Sequence, residues 1–244
     1  MARKILLLVV TALVFASCGR QAPPLQRAAT AATWAALTPT TEPPIPVSTV
    51  AHVTGKSIPV FDAPAAPTPS RTLSNPNEDG APRVLLVKAQ QADWLQVMVP
   101  VRPNGSTGWI RTADVTLTQH SWRMLVEVTA NRLTVWNGKD VFLQDSVAVG
   151  TGGTPTPTGD YYITELLKPD DPGGPYGPYA FGLSAFSDVL KTFAGGPGVI
   201  GLHGTNNSSS IGRAVSHGCI RLTNPSIIKL AQNMPVGTPI SIVP

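Results

Sequence analysis

Cys219 is the residue of this chain best suited to chemistry. It sits in Ser216-His217-Gly218-Cys219-Ile220-Arg221-Leu222, among glycine, histidine, serine and arginine rather than inside an apolar run. The thiolate is the reactive form of cysteine, and nearby histidine and arginine favour it. His203 and His217 both lie within 16 residues of Cys219. A cysteine paired with such a base can attack an acyl carbon and form a thioester. Gly204 and Gly218 let the backbone approach a substrate closely. Consecutive N–H groups around Gly218 and Cys219 are candidates to hold an oxyanion, an interaction worth about 3 kcal/mol. Two other uses of these residues stand beside this one. His203, His217 and Cys219 could bind zinc, although the i, i+2 pair lacks the usual ligand spacing and no fourth ligand is evident. Both histidines could also be structural. Spacing does not decide which histidine would be the base.

The elements that must position these residues are mostly strands. The 244 residues are 13% charged and hold 25 Pro and 22 Gly, against about 25% charged in an average soluble protein. Such a composition favours short strands and many turns. The formal net charge of +4 shows no basic cluster beyond Arg3-Lys4, which argues against nucleic acid as a partner. Residues 1–18 read as an export signal: a basic start at Arg3-Lys4, an apolar run from Ile5 to Phe15, then small residues Ala16 and Ser17. That run falls short of the roughly 20 apolar residues a membrane span needs. Phe15-Ala16-Ser17-Cys18 resembles a bacterial lipoprotein box, which makes Cys18 the expected lipidation site and membrane anchor. In an exported protein a free thiol is open to oxidation, so a bland structural role suits Cys219 poorly. Residues 19–47, rich in Pro, Ala and Thr, offer little to bury and read as an extended linker.

Two folded units follow. In residues 48–118, Val84–Val87, Trp94–Val99 and Gly108–Ile110 read as short strands, with Pro103-Asn104-Gly105 as the turn between the last two. This pattern resembles a bacterial SH3-like domain, a small barrel, with Trp94 and Trp109 more simply read as core than as a ligand platform. In residues 122–244, Met124–Val128 is an expected strand, and Arg132–Trp136 and Val141–Leu143 form a hairpin around Asn137-Gly138. Ser146–Val149 reads as a strand, and Thr238–Val243 as the last one. Helices are expected at Ser184–Phe193, where Phe186, Val189, Leu190 and Phe193 fall at helical spacing, and from Asn224-Pro225 to Pro235. The fold expected is therefore mainly β.

The stretch His203-Gly204 followed by Ser216-His217-Gly218-Cys219-Ile220-Arg221 resembles the signature of the L,D-transpeptidase (YkuD-type) catalytic family. The likeness extends through Thr154–Gly159, Tyr176–Ala180 and Ile200–Gly204, covering nearly all of residues 122–244. It implies a β-sandwich with one or two short helices, behind the SH3-like barrel. By this resemblance Cys219 is the nucleophile and His203 the base, its second nitrogen oriented by the Gly204 carbonyl. Ser216 and His217 would shape the cysteine loop, and Arg221 would steady the loop or the substrate. The donor implied is a peptidoglycan stem tetrapeptide, cross-linked 3→3 to a second stem, with no cofactor and no metal. Water as acceptor would make the same site an L,D-carboxypeptidase; anchoring another protein to the wall is a third use. A non-catalytic wall-binding protein is the rival of a different class, and the intact motif argues against it. Family members are typically acylated by carbapenems. Tyr176, Tyr179 and Phe181 are candidates to line the peptide path, or to cap the core.

Overall fold

Short β-branched and aromatic runs broken by Gly and Pro become strands throughout residues 45–193 and 195–244, which the computed structural model describes. The leader with Cys18, and the linker as far as residue 44, lie outside the described residues. The first strands are β1 (Ser48–Val53), β2 (Ser57–Val60), β3 (Arg71–Ser74), β4 (Val84–Gln91), β5 (Trp94–Met98), β6 (Thr107–Arg111) and β7 (Val115–His120). Five of them form an antiparallel sheet in the order β6-β5-β4-β1-β7, and β2 pairs with β3 as a separate hairpin. Alternate residues point inward, as period-2 patterning requires: Leu95 and Val97 of β5 meet Ile110 of β6, Leu85 of β4 and Ile58 of β2 in one core. Phe61 and Trp109 exchange backbone hydrogen bonds of 2.8 Å, joining the β2–β3 hairpin to β6. Trp94 and Trp109 are both half-buried. Trp94 packs edge-on to Phe61 at 5.0 Å, with the Arg111 guanidinium over its ring.

The remaining elements are β8 (Trp122–Glu127), β9 (Arg132–Asn137), β10 (Asp140–Ser146), β11 (Val149–Gly150), β12 (Gly159–Leu167), β13 (Ala180–Phe186), β14 (Val199–His203), β15 (Ala214–Ser216), β16 (Ile220–Arg221), α1 (Asn224–Asn233) and β17 (Pro239–Val243). Eight of these strands form a mixed sheet, ordered β10-β9-β8-β17-β12-β13-β14-β16, while β11 and β15 pair in parallel apart from it. One core cluster gathers Met124, Leu133, Ile163, Leu183, Leu202 and Ile240 with Ile227 and Leu230 of α1, so strands from across the sheet close on a common interior. The β9–β10 hairpin turns at Gly138 with φ 63°, the left-handed conformation that Asn-Gly turns supply. Helix α1 starts where a capping residue precedes proline: the Thr223 hydroxyl accepts the Ser226 N–H at 3.4 Å. The described chain is mainly β with one α-helix.

Two expectations are corrected. Ser184–Phe193 is not a helix. The chain stays extended to Phe186 as β13, paired on both edges with β12 and β14 and buried from Phe181 to Phe186. Of the four apolar residues at helical spacing only Phe186 belongs to this buried strand, so the spacing arose by accident. Beyond it the Ser187 hydroxyl accepts the Val189 and Leu190 N–H groups and turns the chain. Val189 and Phe193 are exposed. Nor is Ser146–Val149 one strand. β10 ends at Ser146, and the chain crosses to pair β11 with β15.

The two groups of strands share a buried joint. Val50, Val84, Leu86 and Met98 pack against Tyr162 of β12, which is fully buried. The Tyr162 hydroxyl donates to the Val84 carbonyl at 3.2 Å. Gly237, with φ 85°, lies so close that a Cβ there would sit 2.5 Å from Val50. The described residues thus form one compact unit.

Candidate active site

Parallel pairing of β14 with β16 aligns Leu202 with Ile220 and His203 with Arg221. In a strand, residues two apart share a face. The register therefore sets His203 and Gly201 beside Arg221 and Cys219. The Gly201 N–H donates to Cys219 Sγ at 3.4 Å. A Cβ on Gly201 would stand 3.6 Å from His203 Cδ2 and 3.9 Å from Cys219 Sγ, so the two side chains flank the same space. His203 is 3% exposed. Its Nδ1 lies 2.6 Å from the Gly204 carbonyl. A carbonyl can only accept, so Nδ1 carries the proton and Nε2 keeps its lone pair. Gly204 itself is packed hard against Asn224, whose Oδ1 a Cβ would strike. That same Oδ1 accepts the Thr205 N–H at 2.8 Å.

Burial decides the resting charges. Desolvation draws the His203 pKa down to about 4, reinforced by the Arg221 charge and opposed by the Gly204 carbonyl. Burial pushes the Cys219 thiol up, against the pull of the Gly201 N–H and Arg221. Near neutral pH the resting pair is therefore a thiol beside a neutral imidazole. Arg221 Nε is buried without a hydrogen-bond partner among the described residues.

The loop from Ser216 to Cys219 is laced to the Thr-Pro segment that precedes β12. Ser216, 1% exposed, accepts the Gly218 N–H on its hydroxyl at 3.1 Å and donates to the Cys219 carbonyl at 2.6 Å. Its own carbonyl accepts from the Thr151 N–H and the Thr154 hydroxyl. Buried Thr156 donates to the Gly218 carbonyl at 2.8 Å and accepts the Gly150 N–H at 2.9 Å. Gly218 holds φ 117°, and a Cβ there would press 2.9 Å from Ile200. The expected pair of oxyanion donors is corrected here: the Gly218 N–H is already bound to Ser216. The Cys219 N–H has no partner among the described residues, which leaves it as the free donor. Thr151, Thr154, Thr156 and Asn224 were not singled out from sequence as positioning residues. The alternating threonines of Thr154–Thr158 were the available signal.

His217 is exposed, with its ring 5.5 Å from that of Phe193. Tyr176, 37% exposed, stands edge-on to His203 with ring centroids 5.0 Å apart. Tyr179 is half-buried against the core cluster, and Phe181 is fully buried within it. Tyr176 and Phe181 both border the cleft that holds Cys219, and Tyr179 does not. A cleft of about 460 Å³ runs from Cys219, His203 and Tyr176 along Phe193 to Glu165 and Asp79. A smaller cavity of about 170 Å³ also borders Cys219, sharing Tyr176, Phe193 and His203 with the cleft and adding His217 and Arg221. A cavity of about 520 Å³ at the joint with the N-terminal sheet contains neither Cys219 nor His203. The reactive pair, not size, places the site in the first two. Among the described residues no cluster of His, Cys, Asp or Glu is arranged to hold a metal ion, and no helix is long and apolar enough to cross a membrane.

The chain is similar to a Bacillus subtilis protein provisionally named L,D-transpeptidase YkuD, 39% identical over 121 residues. That match covers 50% of this chain and 65% of the relative's length, so the chain spans under two thirds of it. A second Bacillus subtilis protein, provisionally named L,D-transpeptidase YqjB, is 32% identical over 129 residues, 49% of this chain and 69% of that one. Among solved structures, an L,D-transpeptidase from Mycobacterium smegmatis aligns at 15% identity and a TM-score of 0.44, covering 66% of this chain and 90% of that one. The family model of the L,D-transpeptidase catalytic domain matches residues 121–242, the stretch that carries both Cys219 and His203, and this chain belongs to that family.

Proposed function

We propose that the protein is a peptidoglycan L,D-transpeptidase of the cell envelope that forms 3→3 cross-links through a thioester on Cys219. The observation that carries this reading is the placement of Cys219 and His203 over one space, with His203 Nδ1 bound to Gly204 and Nε2 left basic. His203 takes the Cys219 proton as sulfur attacks the carbonyl at the L-centre of the third stem residue. The oxyanion forms near the free Cys219 N–H. Collapse breaks the C–N bond, and the imidazolium returns its proton to the departing D-Ala amine. The amine of a second stem then attacks the thioester and gives its proton to His203. The C–S bond breaks, and the sulfur recovers a proton. A resting thiol suits this general-base scheme better than a preformed ion pair would. The cleft and the smaller cavity adjoin at Cys219 and offer room there for donor and acceptor.

In the same proposal residues 48–118 are an SH3-like unit, and the chain is exported and held to the membrane by lipid on Cys18, with residues 19–47 as tether. Mass spectrometry tests the whole reading. Purified protein incubated with stem tetrapeptide and an amine acceptor should release D-Ala, show an acyl mass on Cys219 and yield a cross-linked product; membrane-extracted protein should begin at a lipidated Cys18. Cys219→Ala should abolish release and adduct. Adduct on the Ala variant would refute the nucleophile, and tripeptide without cross-linked product would make the enzyme a carboxypeptidase.

A further inference from the structure

A turn of the N-terminal sheet grips a wall of the catalytic cleft. Between β5 and β6 the chain passes through Arg102 and Asn104, both half-buried. Arg102 Nη1 donates to the Ser187 carbonyl at 2.8 Å; its Nη2 donates to those of Leu190 at 3.0 Å and Pro197 at 3.2 Å. The guanidinium carbon lies 5.0 Å above the Phe186 ring. Asn104 reads the Phe186 backbone in both directions, accepting its N–H and donating to its carbonyl at 2.8 Å each. Asn104 also donates to Asp188 at 3.2 Å.

These contacts fall at the neck of the loop from Ser187 to Gly198. Across that neck the Ser187 N–H donates to the Gly198 carbonyl at 2.8 Å. Gly198 has φ 74°, and a Cβ there would stand 3.3 Å from Arg102 Nη2. At the loop's far end Phe193 and Gly196 exchange backbone hydrogen bonds. The Phe193 ring lies against His217, and Phe193 lines both the cleft and the smaller cavity at Cys219. A planar guanidinium can span several carbonyls at once, whereas an ammonium is a point donor. Simple packing between two sheets would need neither.

We propose that Arg102 and Asn104 are positioning residues for the Cys219 site, holding the 187–198 loop so that Phe193 walls the cleft. This rests on the transpeptidase reading above. The N-terminal sheet then contributes to turnover through the loop, without touching substrate. Without Arg102 three carbonyls lose their shared donor, and of the two gripping residues only Asn104 still ties the N-terminal sheet to the loop. A shift of about 1 Å at such a wall can cost about a hundredfold in rate.

The test uses the full chain as wild type, Arg102→Ala, Arg102→Lys, Asn104→Ala, Phe193→Ala and the Arg102→Ala/Phe193→Ala double variant. D-Ala release from stem tetrapeptide gives kcat and KM; iodoacetamide labelling reports the bare reactivity of Cys219; a thermal melt reports folding. Arg102→Ala should lower kcat/KM by at least about tenfold, mainly through KM, with Lys restoring little of it. Iodoacetamide, too small to need the wall, should label wild type and variant within about twofold of each other. Because Arg102 acts through Phe193, the double variant should be no slower than the slower single one. An unchanged kcat/KM, losses that multiply in the double variant, or labelling that falls in step with activity would each overturn the proposal. If Arg102→Ala does not fold, Asn104→Ala takes its place in the same cycle. A wild type that turns over no tetrapeptide defeats the functional reading first, and this inference with it.

Discussion

At the scale of single residues, the imidazole of His203 is the group whose titration can be followed. Its pKa is lowered to about 4 from an ordinary 6.5. The unfolded chain therefore binds a proton between those values that the folded chain refuses. Stability contributed by the neutral ring is complete above pH 6.5 and is lost as pH falls toward 4, by on the order of 3 kcal/mol. Urea unfolding at pH 7 and pH 4.5 should show this extra acid sensitivity in wild type and its disappearance in His203→Gln. The acid limb of kcat/KM should likewise lie near 4, since that limb reports the base in free enzyme; a limb near 6.5 would mean that His203 is not the base. The meeting of Cys219 and His203 was legible in sequence because the motif groups them, and the structure sets both side chains beside Gly201. The oxyanion donors were not fully legible. Whether the Gly218 N–H is free depends on where the Ser216 hydroxyl points, and it points at that N–H.

At the scale of elements, what local chemistry dictates was readable and what long-range pairing dictates was not. The β9–β10 hairpin follows from Asn137-Gly138 between alternating strands, and α1 follows from Thr223 and Pro225 at its start. The helix expected at Ser184–Phe193 failed because its first residues end β13, with Phe186 paired to Val199 of β14, and the Ser187 hydroxyl then turns the chain. The segment Thr154–Gly159 was legible as part of the family likeness but not as a brace of the cysteine loop, since its partners lie about 60 residues downstream. Thr156→Val keeps the shape of that brace and deletes its hydroxyl. Two buried partners, the Gly150 N–H and the Gly218 carbonyl, would go unmatched, at a cost of about 1–3 kcal/mol. Carbapenem acylation of Cys219 should slow by at least about tenfold as the loop loosens. A variant with lowered melting temperature but an unchanged acylation rate would show that the brace serves the fold and not the site.

At the scale of the whole molecule, the boundary near residue 120 is a change of sheet rather than a break between independent bodies. Tyr162 is sealed by Val50, Val84, Leu86 and Met98, with its hydroxyl on the Val84 carbonyl. No local pattern announces such a joint, because its halves are 78 residues apart. A chain beginning at Ser121 would expose that ring, strand its hydroxyl and release the loop that Arg102 holds. Burying one large apolar side chain is worth about 1.5–3 kcal/mol, and a domain's whole margin is about 5–15 kcal/mol. The shortened chain should therefore unfold at a distinctly lower urea concentration than the full one; coincident midpoints would show that the joint is ornamental. The seat of β17 has a consequence for how the enzyme comes into being. That strand is the last in chain order, yet it lies between β8 and β12. A chain emerging from its first residue onward can zip the β8–β10 meander and stack β12 on β13 and β14, but the two halves have no common edge until β17 arrives to bridge them. Closing such a distant pairing is the slow part of folding. The half of the sheet that carries β14 and β16 is thus joined to the β8–β10 meander only when β17 pairs with both β8 and β12.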